Sequence, residues 1–140
     1  MMAGLGGAGL SLVWPFTAAA QSVYTPRRGS ADRRRIMNAL RVPVMRDLRQ
    51  RTIFRVKHLR VRGRHAFMIA RPLRPGGKPI NYRRTRFAAD RRAGAFEDEV
   101  VALLIRSPRG WQVVHYVIGA TDVVYDGWWN TYRAPRAIFP

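Results

Sequence analysis

The sequence predicts an α+β domain in which an N-terminal amphipathic helix packs on an antiparallel sheet of about four strands. Three observations predict it. Ile36, Met37, Leu40, Val44, Met45 and Leu48 recur at three- and four-residue spacing, which is the stripe of a helix with one buried face. From Thr52 the period changes, and Ile53 to Val61 and His65 to Pro72 read as β-prone runs separated by a turn at Gly63. Val100 to Ile105 and Trp111 to Ile118 then flank Pro108-Arg109-Gly110, the plainest hairpin in the chain.

Taken in order, Met1 to Ala20 holds no charged residue, and Leu5 to Phe16 is an apolar run followed by Ala18-Ala19-Ala20. That is the pattern of a secretory signal peptide over residues 1–20, with small residues where a signal peptidase reads and Gln21 as the new N-terminus. The run is short, Gly-rich and broken by Pro15, too weak for a span of about 20 apolar residues. No Lys or Arg precedes it, the one departure from the pattern. Residues 21–29 form an extended lead-in, and residues 30–140 a single α+β domain.

Ser30 is a natural N-cap, with Asp32 placed in the first turn to suit the helix dipole. Pro43 interrupts the apolar stripe, so the helix either kinks there or splits in two, the second helix carrying Pro43 in its first turn. Pro75-Gly76-Gly77-Lys78-Pro79 is a loop, and residues 81–94 are polar and Arg-rich, with a helical turn near Ala88 to Arg92. Gly119 ends the last strand. Thr121 or Asp122 is then placed to cap a short turn through Trp128 to Tyr132, and the apolar tail Ile138-Phe139 packs rather than floats. One helix followed by antiparallel strands has a cystatin-like or NTF2-like outline, an analogy of fold that carries no function.

An apolar fraction of 47% excludes wholesale disorder, and the absence of cysteine excludes disulfides, thiolate metal sites and Cys nucleophiles. The charge is unusual: 26 basic against 8 acidic residues, net +18. All the basic residues but Lys57 and Lys78 are Arg. The Arg-to-Lys ratio has two readings, GC-rich coding or guanidinium forks suited to phosphate and carboxylate ligands. GC-rich coding does not account for the net charge. Residues 27–92 hold 22 of the basic side chains and three acids, whereas residues 93–140 hold four basic and five acidic ones. Arg55 and Lys57 share one strand face, and Arg60, Arg62 and Arg64 alternate in the same way unless Gly63 breaks the register. These five are the candidate anion-binding residues. A surface of this kind attracts phosphate-rich or carboxylate-rich partners; it serves equally as a solvated face that keeps the protein soluble.

Catalysis has little to work with. His58, His65 and His115 each fall on a predicted strand, and no serine lies in a nucleophile elbow. Glu97-Asp98-Glu99 is the only acidic cluster; consecutive side chains diverge, so it reads as a solvated turn, and neither a metal nor a cofactor is expected. The densest segment is Val117 to Trp129. There Tyr125, Trp128 and Trp129 can form a stacking platform or partner anchor, or can close the open edge of a small core. With His115 and Asp122 as polar groups, the same residues can line a pocket.

Leu40-Arg41-Val42-Pro43, the arginine-rich strands, and Ile118-Gly119-Ala120-Thr121-Asp122-Val123 followed by Trp128 and Ala134-Pro135 resemble a group of small exported bacterial proteins of unknown function. The likeness runs from about Arg33 to Phe139. It implies export and fold, and no site carries over from it. A single Trp and a less basic first half are expected in that group.

The expectation is an exported, non-enzymatic domain in the periplasm or outside the cell. Its basic face would bind an anionic lipid, lipopolysaccharide or acidic wall polymer. An NTF2-like pocket protein that binds or hydrolyses a small ligand is the alternative. Nucleic acid is the partner if the chain is not exported.

Overall fold

The computed structural model describes residues 22–140 together with Gly4 and Gly9, so the expected signal segment lies outside the described residues. Helix α1 (Ala31–Leu48) begins where predicted, the Ser30 hydroxyl accepting the Arg33 amide at 3.2 Å. It runs as one element through Pro43 in place of two helices, with Ile36, Leu40, Val44 and Leu48 fully buried on both sides of the proline. Arg49, in the left-handed region at φ 53°, ends it by donating its amide to the Met45 carbonyl.

Strands β1 (Ile53–Arg62) and β2 (His65–Arg74) form the first hairpin. A two-residue strand β3 (Lys78–Pro79) folds back on the end of β2, inside the segment read as loop, and makes the sheet one of five strands rather than about four. A 3-10 turn (Tyr82–Arg84) and a single turn α2 (Ala88–Arg92) lead to β4 (Val100–Ser107) and β5 (Gly110–Ile118). The long strands are antiparallel in the order β1-β2-β4-β5. Last come the turn α3 (Trp128–Thr131) and a 3-10 turn (Arg136–Ile138). Gly127 precedes α3 with no side-chain cap, so neither Thr121 nor Asp122 performs the capping expected of it.

A β-bulge decides which way the β1 side chains point. Val56 pairs with Ala70 and His58 with Ile69, leaving Lys57 as the extra residue. The insertion shifts the alternation by one residue. Phe54 before it and Leu59 and Val61 after it therefore all reach the core beneath α1.

Both faces of the sheet are covered. Ala102 and Leu104 of β4 face the core beneath α1. Val101 and Leu103 face a second core built from Phe67 and the C-terminal residues Trp128, Ile138 and Phe139. This explains the continuous apolar run from Val100, because a strand buried on both faces does not alternate. Gly119 is fixed by close approach: at φ 86° a Cβ there would lie 2.3 Å from the Phe96 ring, which only glycine avoids.

Candidate anion-binding face

The scarce acids are tied into the fold. Asp32 of α1 accepts from Tyr24 Oη, from Trp111 Nε1 at 3.0 Å and from Arg106. Asp47, at the other end of the helix, accepts from Tyr116 Oη at 2.7 Å and from Arg86 at 3.2 Å. Asp98 accepts from Tyr82 Oη and from Arg71 at 2.8 Å, and Glu99 pairs with Lys57 at 2.7 Å. The cluster predicted as a solvated turn thus has two of its three carboxylates in ion pairs, while Glu97 is exposed.

These contacts act on the phenols. Burial first, then the hydrogen bond to Asp98, push the Tyr82 hydroxyl far above its ordinary value. Burial, then Asp47, raise Tyr116 to about 12. Each carboxylate favours the neutral O–H that it accepts from and opposes a second negative charge beside it. His65 moves the other way: burial first, then the Arg64 cation, lower its pKa.

Among the described residues, which include all 26 basic side chains, only Lys57, Arg71, Arg86 and Arg106 stand in ion pairs. The five residues predicted to bind anions divide accordingly. Arg55, Arg60 and Arg62 pair across β2 with Arg71, Phe67 and His65, on the side of β1 away from α1. Arg55 and Arg60 are exposed, and Arg62 is half-buried. The bulge is what brings Arg55 onto the same side as the other two. Lys57, at the bulge, is neutralised by Glu99. Arg64, in the hairpin loop, donates its Nε to the Arg106 carbonyl at 3.2 Å.

The second predicted group does not assemble into a pocket. Tyr125 and Trp128 set their ring edges against Phe67 at 5.0 and 6.4 Å, and Trp129 meets Phe139 at 5.4 Å. These rings close the second core. His115 is exposed on β5, its ring 4.7 Å from that of Trp128. Asp122 is exposed, and no side-chain hydrogen bond joins it to His115 among the described residues. His58 bonds the Ile138 carbonyl at 2.7 Å and so anchors the tail. Among the described residues no group of three or more His, Asp or Glu is arranged to hold a metal ion. No described helix is long and apolar enough to cross a membrane.

Sequence reasoning missed an open groove of about 460 Å³ between α1 and the edge of β1. The groove reaches round the outer edge of β1, so Arg55 lines it from the far side of the strand while Arg28, Arg33 and Arg34 stand on the helix side. Met37, Ile53 and Leu73 are among its apolar walls. Its signal was present in the helix, where Arg33 and Met37 are four residues apart and so share a face. What the sequence does not display is that β1 runs alongside that face. Comparison with family models, curated proteins and solved structures finds no match to this chain.

Proposed function

We propose that this chain is an exported, non-enzymatic domain that binds an anionic component of the cell envelope through its basic face. The partner is an anionic lipid, lipopolysaccharide or acidic wall polymer, met in the periplasm or outside the cell. One observation carries the reading: Arg55, Arg60 and Arg62 stand on one side of β1 and make no ion pair among the described residues. Four of the eight carboxylates are committed to contacts inside the fold, so the excess charge faces solvent rather than being compensated locally. Guanidinium groups bind phosphate and carboxylate in a bidentate way, and several on one surface bind a polyanion together. The N-terminal segment, free of charge and ending in Ala18-Ala19-Ala20, supports export.

The filled helix–sheet interface, with Ile36, Leu40, Val44 and Leu48 at zero exposure, favours a cystatin-like outline over the hollow cone of an NTF2-like pocket protein. We also infer a bend in α1 at Pro43, because a proline there has no N–H to donate to the Ala39 carbonyl.

The test is retention on heparin and on phosphatidylglycerol vesicles across a salt gradient. The Arg55→Glu, Arg60→Glu, Arg62→Glu triple variant is expected to elute at clearly lower salt and to lose most vesicle binding, since each cation removed lowers the salt dependence. Unchanged retention with an intact fold would sink the basic-face reading. Intact mass of the protein from its native host tests export: a mature N-terminus at Gln21 supports it. A chain retaining Met1 turns the same surface toward nucleic acid.

A further inference from the structure

The groove between α1 and β1 combines two chemistries that a simple polyanion does not satisfy. Arg28, Arg33, Arg34 and Arg55 form a cationic rim, and no carboxylate is among the residues that line it. Arg33 donates to the Pro26 carbonyl at 3.0 Å and Arg34 to the Gly29 carbonyl at 2.5 Å. Both guanidiniums are thus held against the lead-in, and each keeps the rest of its five N–H donors for a ligand. Beneath the rim the surface is apolar: Met37 is half-buried. Ile53 remains 37% exposed, one of few large apolar side chains that do so among the described residues. Among the described residues the lead-in bonds to the edge of β1 at the Tyr24–Val61 bridge and through the Thr25 hydroxyl to the Leu59 carbonyl. No strand among the described residues pairs with the outer edge of β1 at its Ile53 end.

A purely ionic polymer would leave the apolar floor wet, and a neutral lipid would leave the guanidiniums without a counter-charge. A ligand with a charged head and an apolar chain satisfies both. We propose that this groove binds one anionic amphiphile, a phosphate-headed lipid. Its head takes Arg33, Arg34 and Arg55, and its chain lies along Met37, Ile53 and Leu73. Phosphate fits better than carboxylate because its additional acceptor oxygens engage several guanidiniums at once. This inference rests on the proposed basic-face function and names the class of its partner.

Calorimetric titration of the full chain with three probes separates the two proposals. The probes are dodecyl phosphate below its micelle threshold, inorganic phosphate and dodecyl maltoside. Dodecyl phosphate is expected to bind about tenfold or more tighter than either of the others, since only it fills rim and floor together. Ile53→Asn, at a partly exposed position and with an unchanged circular dichroism spectrum as the check on folding, should remove most of that advantage while leaving heparin retention unchanged. Arg33→Glu combined with Arg55→Glu should abolish dodecyl phosphate binding. Equal affinity for dodecyl phosphate and inorganic phosphate, or indifference to Ile53→Asn, overturns the amphiphile site even where heparin is still retained. An acidic peptide that binds the groove while dodecyl phosphate does not also overturns it. Loss of heparin retention by the unmodified chain overturns both proposals.

Discussion

On one face of the sheet lies an 18-residue helix; on the other lie the single turn α3, a 3-10 turn and a tail. The two covers are held by different means. The long helix supplies its own backbone hydrogen bonds and buries four aliphatic side chains, each contributing about 1.5–3 kcal/mol by removal from water. What it needs is orientation. Asp32 near its start and Asp47 near its end provide this by accepting from Trp111 and Tyr116 of β5. The C-terminal cover has no such independence, because pieces of three or four residues do not hold a helical turn alone. It is shaped by aromatic rings, and Phe67 touches four of them, His58, Tyr125, Trp128 and Phe139. The helix layer is thus clipped on through polar contacts at its ends, whereas the C-terminal layer takes its form from the sheet beneath it.

Breaking that contrast starts with Phe67→Ala. Phe67 is fully buried, and its truncation is expected to cost about 3–5 kcal/mol. Leu40→Ala, its counterpart on the helix side, should cost about 2–5 kcal/mol. The distinguishing readout is amide exchange: Phe67→Ala should expose residues 128–139 before α1, and Leu40→Ala should not. Equal loss of protection on both faces in both variants would show a single cooperative core and erase the distinction. A smaller effect, about 1–3 kcal/mol, is expected for Asp32→Ala, which strips acceptors from Tyr24, Trp111 and Arg106. Faster exchange should then appear in the first turns of α1, with the C-terminal cover untouched.

The helix side was the more legible of the two in sequence. Its stripe, its Ser30 cap and the β4–β5 hairpin rest on local patterns, and those patterns formed. The bulge at Lys57 was also written in the chain, since the apolar phase shifts from Phe54 and Val56 to Leu59 and Val61. That shift is easily read as plain strand. The second cover was legible in part: the turn at Trp128 and the packed tail follow the expectation, but Trp128 and Ile138 have no periodicity that says which surface they meet. Of the candidate site, the residue types were visible and their partners were not. Nothing in the order of residues announces that Lys57 finds Glu99, or that Arg28 and Arg55 stand at one groove. Those are long-range facts decided by topology.

The polar clip at the C-terminal end of α1 can be tested on its own by pH. Tyr116 has its pKa raised to about 12 from an ordinary 10, by burial first and then by Asp47. A phenol whose folded-state pKa lies above its unfolded value contributes stability that is fully present below pH 10. That contribution is lost as pH rises from 10 toward 12, where the unfolded chain releases its proton first. Tyr82 is raised in the same direction and adds to the same alkaline decline. Tyr116→Phe removes one hydrogen bond at neutral pH, at about 0.5–1 kcal/mol, and should flatten the decline between pH 10 and 12 while the share from Tyr82 persists. Denaturant midpoints at pH 8, 10 and 11.5, read beside phenolate absorbance, measure both effects. An alkaline slope identical to that of the unmodified chain would mean that the Asp47–Tyr116 contact does not hold the helix, leaving the Asp32–Trp111 bond to clip it to β5.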